Sequence, residues 1–128
     1  MHGKEMRPDL GAEGEEVAAG LLRDKGFEIL RRNFRSGHNE IDIICRDGND
    51  VRFVEVKSRR EPVEGEPWEA VTLSKQKRIA SAARAFLATK RDFPLGECHF
   101  DVITLVWRKD NTDYVSEYIP DAYIPIYF

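Results

Sequence analysis

Glu40-Ile41-Asp42-Ile43-Ile44-Cys45, Arg46-Asp47-Gly48-Asn49-Asp50 and Val51-Arg52-Phe53-Val54-Glu55-Val56-Lys57 form the stretch whose reading decides the fold. Two β-branched runs flank a Gly-Asn dipeptide, which signals a tight hairpin. With Gly48 and Asn49 as the turn residues, Asp47 pairs with Asp50, Cys45 with Arg52 and Asp42 with Glu55. Directly opposed residues share one face, with Cβ atoms about 4.5–5.5 Å apart. Lys57 follows Glu55 at the strand period of two, so it leaves the same face. Two carboxylates and an ammonium thus converge amid mostly apolar neighbours. Like charges placed opposite one another destabilise a sheet, so a bound cation accounts for the pair better than a packed core does. Lys57 also falls opposite Glu40, which makes a cross-strand ion pair the competing reading of that side chain.

On the N-terminal side of the hairpin, residues up to Leu10 carry no periodicity and read as a flexible tail, residues 1–10. Ala12 to Lys25 has helical spacing, with Val17, Ala18, Leu21 and Leu22 as its apolar stripe and Gly26 as its stop. Glu15 shares its face with Ala18, Ala19 and Leu22 and should point inward. Glu16 falls with Arg23 and should point to solvent. Phe27 to Arg35 reads as a first strand carrying Arg31, Arg32 and Arg35, and Ser36-Gly37-His38-Asn39 as a turn.

On the C-terminal side, Ser58 to Pro67 reads as a charged loop containing Arg59 and Arg60. A second helix is expected over about Ser74–Lys90, with Ile79, Ala82, Ala83, Phe86 and Leu87 buried and Thr72 or Ser74 as its cap. Lys75, Gln76, Lys77 and Arg78 crowd its first turn, against the helix dipole; approaching phosphates would explain them. Cys98–Trp107 reads as a central strand, apolar on both faces, and Tyr114–Ile119 as another, with Pro120–Phe128 packing back on the domain. The order is α-β-β-β-α-β-β. The fold class is α/β, a mixed central sheet flanked by helices, in a single domain over residues 11–128.

The balance of 41% hydrophobic and 34% charged residues marks a globular chain, and no apolar run is long enough to cross a bilayer. The start lacks the apolar segment of a signal peptide, so a cytoplasmic location is expected. Cys45 and Cys98 have no metal-ligand spacing and read as small buried residues. A net charge of −3 argues against a generally basic nucleic-acid binder, although a local basic stripe is what contacts phosphates.

Mg²⁺ takes oxygen ligands, commonly one or two carboxylates with waters and phosphate oxygens. Asp42 and Glu55 supply carboxylates, the Val56 backbone carbonyl a third oxygen, and Glu15 completes the set directly or through water. Lys57 would orient the attacking water and stabilise charge on the transition state. That is equipment for phosphodiester hydrolysis, with Mn²⁺ a substitute for Mg²⁺.

Asp42 followed by Glu55-Val56-Lys57 after a hairpin, with an acid on a preceding helix, resembles the PD-(D/E)xK nuclease superfamily. The order of these residues is similar to that of archaeal Holliday-junction resolvases. More closely, the chain resembles the YraN-type family of small bacterial proteins. Gly11-x-x-Gly14-Glu15-x-x-Ala18, Gly26-x-x-Ile29-Leu30-x-x-Asn33-x-Arg35, Glu40–Ile44, Phe53–Lys57 with Arg59, Lys75-x-Lys77-Arg78-Ile79 and Phe100–Ile103 carry the likeness. Ile41 replaces the superfamily's proline. Asn39 replaces a usual glycine and could adopt its left-handed backbone. The resemblance implies a restriction endonuclease-like three-layer fold and a Mg²⁺-dependent nuclease site with Glu15, Asp42, Glu55 and Lys57 catalytic.

The functional expectation is a metal-dependent endonuclease acting on DNA, structure-specific or resolvase-like. Arg31, Arg32, Arg35, Arg59, Arg60, Lys75, Gln76 and Lys77 would contact phosphates, which position without reading sequence. Branched or nicked DNA is the expected partner, and a branched substrate would favour a homodimer. The alternative is a non-catalytic nucleic-acid-binding module that retains the fold.

Overall fold

A computed structural model describes residues 10–63, 65, 71–90, 96–110 and 113–125. Its elements are α1 (Leu10–Asp24), β1 (Glu28–Ser36), β2 (Asn39–Asp47), β3 (Asp50–Arg60), α2 (Leu73–Ala88), β4 (Cys98–Trp107) and β5 (Tyr114–Ile119). This is the expected order. The expected tail lies outside the described residues except for Leu10, which begins α1, and so does the end of the C-terminal segment, 126–128. One boundary differs: Ser58, Arg59 and Arg60 extend β3 instead of opening a loop, because each pairs with β4, opposite Leu105, Val106 and Trp107.

The five strands lie in sequence order, with β3 and β4 parallel and the other pairs antiparallel. Parallel neighbours need a crossover, and α2 supplies it. β-Strand alternation then divides the core. Ile44, Val51, Phe53, Phe100 and Val102 pack against Ile79, Ala82, Ala83 and Phe86 of α2. Ile43, Cys45, Val54, Ile103 and Leu105 pack against Ala18, Ala19 and Leu22 of α1. The sheet is therefore a middle layer between two helices. Cys45 lies in the second cluster, and burial pushes its thiol up to about 12, as an inert packing residue should be.

The β2–β3 hairpin has the expected register, Asp47 opposite Asp50 and Cys45 opposite Arg52. Gly48 takes φ +62° and Asn49 has no positive φ, the requirement of a hairpin turn with glycine at its first central position. In the preceding turn Gly37 supplies the left-handed residue at φ +61°. Asn39 is correspondingly an ordinary strand residue, and the left-handed asparagine is Asn33, at φ +52°.

Behind the sheet's other end, Asp101 is fully buried and holds Arg52 at 3.1 Å while accepting bonds from the Tyr118 hydroxyl and the Asp121 amide. It is a structural anchor for the segment after β5. Ala122 and Tyr123 of that segment pack on the α2-side core.

Candidate metal centre

Strict alternation would put Ile41 and Ile43 on one face. Instead Ile41 lies with Ile44 in the α2-side cluster, and Ile43 lies in the α1-side cluster. β2 therefore changes phase at Asp42. Its neighbour β1 does the same at Asn33: Phe34 faces α2, whereas Arg32 bonds Glu16 of α1. The register of Arg32 with Ile43 and of Phe34 with Ile41 puts Asn33 beside Asp42. The left-handed backbone of Asn33 is the physical means of the switch, since such a conformation breaks the pleat.

The β2–β3 pairs run only to Ile43 opposite Val54. One step further, the Asp42 carboxylate accepts the Val56 amide at 2.8 Å, in place of a backbone carbonyl. A strand residue's N–H and C=O point to the same side, so the Val56 carbonyl also faces this gap. Asp42 thus sits where it meets both sheet faces. Its charge acts on Glu55 from the α2 side and on Glu15 from the α1 side.

Glu55 is only 6% exposed. Burial and then the adjoining Asp42 push its carboxyl up to about 8, against the pull of Lys75. Lys75 Nζ lies 2.8 Å from Glu55 Oε2. That is ion-pair distance without hydrogen-bond alignment, and Oε2 has no hydrogen-bond partner. Lys75 comes from the first turn of α2, where Thr72 caps the helix by accepting the Lys75 amide at 3.2 Å.

Glu15 is half-buried and Glu16 is exposed, as the helical face of each requires. Burial and Asp42 raise the Glu15 carboxyl above its ordinary 4.5, and Arg32 and a hydrogen bond from Asn33 oppose them. Gly14 lets this turn of α1 lie close on the sheet: a Cβ there would fall 1.8 Å from Ser58 Oγ and 3.2 Å from Leu105 Cδ1.

Asp42, Glu55 and Lys75 border a cleft of about 180 Å³, which Glu15, carried by α1, does not line. Asp42 and Glu55 form one wall with Glu40, and Lys75 and Arg78 form the other; His38 and Asn39 stand at the β1–β2 turn. Lys57 is half-buried on β3 and does not border the cleft. Glu40 bonds Arg35 at 3.3 Å, and the cross-strand ion pair that is the competing reading of Lys57 is not formed.

Of the expected phosphate contacts, Lys75 is in the cleft. Arg32 bonds Glu16, Arg35 bonds Glu40, Arg31 lies 5.0 Å over the Phe34 ring, and Gln76 donates to the Val71 carbonyl. Arg59 and Arg60 are half-buried at the end of β3 and Lys77 is exposed on α2. Arg78, which the basic first turn of α2 already sets beside Lys75, lines the cleft as well, and Asn33 is the neighbour of Asp42 and Glu15 that the expected site lacks. The signal for Arg78 was its helical offset from Lys75; for Asn33 it was an asparagine interrupting an apolar-basic strand.

The acidic pair fits a divalent cation. When both are ionised, the two adjoining carboxylates carry one more negative charge than the single ammonium of Lys75 offsets, and a cation would balance it. Among the described residues no three His, Cys, Asp or Glu side chains converge as a ligand set. A hard cation that keeps several waters needs no more than a pair.

The family model described as uncharacterised protein family UPF0102 matches residues 14–105. The chain belongs to the UPF0102 family. A UPF0102 protein of Chlorobaculum tepidum is 52% identical over 97 residues, which are 76% of this chain and 74% of that one. Another from Prosthecochloris aestuarii is 44% identical over 119 residues, 90% of this chain and 93% of that one. One from Nocardia farcinica is 47% identical over 97 residues, 76% of each. The UPF0102 match begins at Gly14 and ends at Leu105, so it contains Asn33, Asp42, Glu55, Lys75 and Arg78. No helix among the described residues is long and apolar enough to cross a membrane.

Proposed function

We propose that this protein is a metal-dependent endonuclease that hydrolyses DNA phosphodiester bonds, with a restriction endonuclease-like fold of the PD-(D/E)xK type. One observation carries the reading: two adjoining carboxylates, that of Glu55 buried, share a single ammonium from Lys75 in a cleft that Arg78 also lines. An acidic wall facing a basic wall suits a cation and a phosphate held side by side.

Asp42, Glu55 and the Val56 carbonyl would hold Mg²⁺ or Mn²⁺, with Glu15 reaching it through water. When bound, the ion supplies a Lewis acid and lowers the pKa of a coordinated water. Asp42 fixes the Val56 amide and hence the β3 backbone at the site. Glu15 is oriented by Asn33. Arg78 offers a guanidinium for bidentate phosphate contact. Lys57, two residues beyond Glu55, would orient the attacking water.

A second reading, a nucleic-acid-binding module without catalysis, draws support from the lack of a third converging ligand among the described residues. Mn²⁺ titration separates the two. The nuclease reading predicts binding by the wild type that Asp42→Asn and Glu55→Ala each abolish. A wild type that binds no Mn²⁺ yet binds DNA with a salt slope set by phosphate contacts overturns it in favour of the module.

A further inference from the structure

Lys75 reaches Glu55 from a different element, and its side chain remains 37% exposed while that of Glu55 is 6% exposed. The contact is at ion-pair distance, 2.8 Å, yet it leaves Glu55 Oε2 without a hydrogen bond. A buried carboxylate is stable when its partner both neutralises it and bonds its lone pairs. Here only the first is met. The ammonium also sits on a four-carbon stem in the first turn of α2, where the helix dipole disfavours a cation. Its charge partner is Glu55. A divalent cation would compete for the same oxygen.

We propose that Lys75 is a displaceable counter-cation of Glu55, and that a divalent metal ion must expel it to bind, so that Lys75 sets the metal affinity of the site. The inference rests on the reading of Asp42 and Glu55 as metal ligands. A released ammonium remains on the cleft wall beside Arg78, three residues on along the helix. A phosphate in the cleft would then stabilise the released position. By linkage, a bound phosphodiester tightens metal binding, and metal tightens phosphodiester binding.

The experiment is a Mn²⁺ titration of the full chain at a fixed alkaline pH, comparing wild type with Lys75→Met, Lys75→Arg and Lys77→Met. Lys77 lies on the same helical turn and is exposed, so its loss reports the general effect of one fewer charge. Lys75→Met is expected to tighten Mn²⁺ binding about ten-fold, as when a competent fraction of about one tenth becomes the whole population. Lys75→Arg and Lys77→Met should stay within about two-fold of wild type, because the first keeps a competing cation and the second removes only a screened one.

Equal affinity in Lys75→Met and wild type, or an equal change in Lys77→Met, overturns the inference. If Asp42→Asn still abolishes that binding, the metal site itself stands. No binding by any variant overturns both. A purely structural Lys75 predicts a lower melting temperature in Lys75→Met with an unchanged Mn²⁺-induced rise; displacement predicts a larger rise than in wild type. Lys75→Gln serves the same comparison if the methionine variant does not fold.

Discussion

Asp42 owes its position to a backbone event at its neighbour. Asn33 adopts φ +52°, and both strands change phase there, which brings Asp42 within reach of Glu55 on one face and Glu15 on the other. The left-handed region costs a side chain with a Cβ about 1–2 kcal/mol, and asparagine less. Asn33→Gly should therefore keep the urea midpoint at or above that of wild type while losing the hydrogen bond to Glu15. Asn33→Val should lower stability by about 1–2 kcal/mol. Equal midpoints for the two variants would show that the backbone conformation at this position carries no strain. This switch was not legible in the sequence, because it needs two strands acting together. That Asp42 adjoins Glu55 was legible, since hairpin turn chemistry fixes register, but the ladder ends at Ile43 opposite Val54, one step short of that pair. The inward direction of Glu15 was legible too, as it follows from helical periodicity alone.

At the scale of elements, α1 is seated by one close approach. Gly14 faces Ser58, whose hydroxyl oxygen is buried without a hydrogen-bond partner, and Leu105. Gly14→Ala gains helix propensity of about 1 kcal/mol but meets Ser58 Oγ, so it should destabilise the protein and shift Glu15. In a Ser58→Ala background the clash with that oxygen is gone. The same substitution should then cost less by about 1 kcal/mol or more, a coupling that a double-mutant cycle of urea midpoints measures. Additive costs would mean that α1 rides further from the sheet. The sequence placed both helices within two residues of their bounds. The end of β3 was not legible: Ser58–Arg60 look like loop by composition, and only pairing with β4, some 47 residues later, makes them strand. The same distance problem hid the Lys75–Glu55 pair. The basic first turn of α2 was visible as an anomaly, but its internal partner was not.

Across the whole molecule, a second polar cluster closes the end of the sheet. His99 on β4 contacts Asp121 through Nδ1 at 2.6 Å and Asp50 through Nε2 at 2.9 Å. Both ring nitrogens face carboxylates, so both must donate, which requires the imidazolium. Burial lowers its pKa, but the two carboxylates outweigh burial and hold it above the ordinary 6.5. Stability from this clamp is thus fully present below about pH 6.5 and is lost as pH rises through the folded-state value. Glu55 acts in the same direction over a window from its ordinary 4.5 to about 8, because the folded state favours its protonated form. The metal-free protein should therefore lose stability between mildly acid and mildly alkaline pH. His99→Gln and Glu55→Gln should each flatten that slope in urea denaturation. A wild-type slope of the opposite sign contradicts both assignments.

The same whole-molecule view joins the acidic pair, the basic wall of α2 and the inward acid of α1 into one proposed hydrolytic site. Its most direct test is cleavage of linear, nicked, flapped and four-way DNA by the wild-type protein with Mg²⁺ or Mn²⁺, alongside Glu55→Ala. The account predicts metal-dependent cutting of at least one substrate by wild type, abolished by chelation. It also predicts that Glu55→Ala loses cutting while keeping its DNA affinity. No cutting of any of these substrates with either metal, or cutting that survives Glu55→Ala, would contradict it.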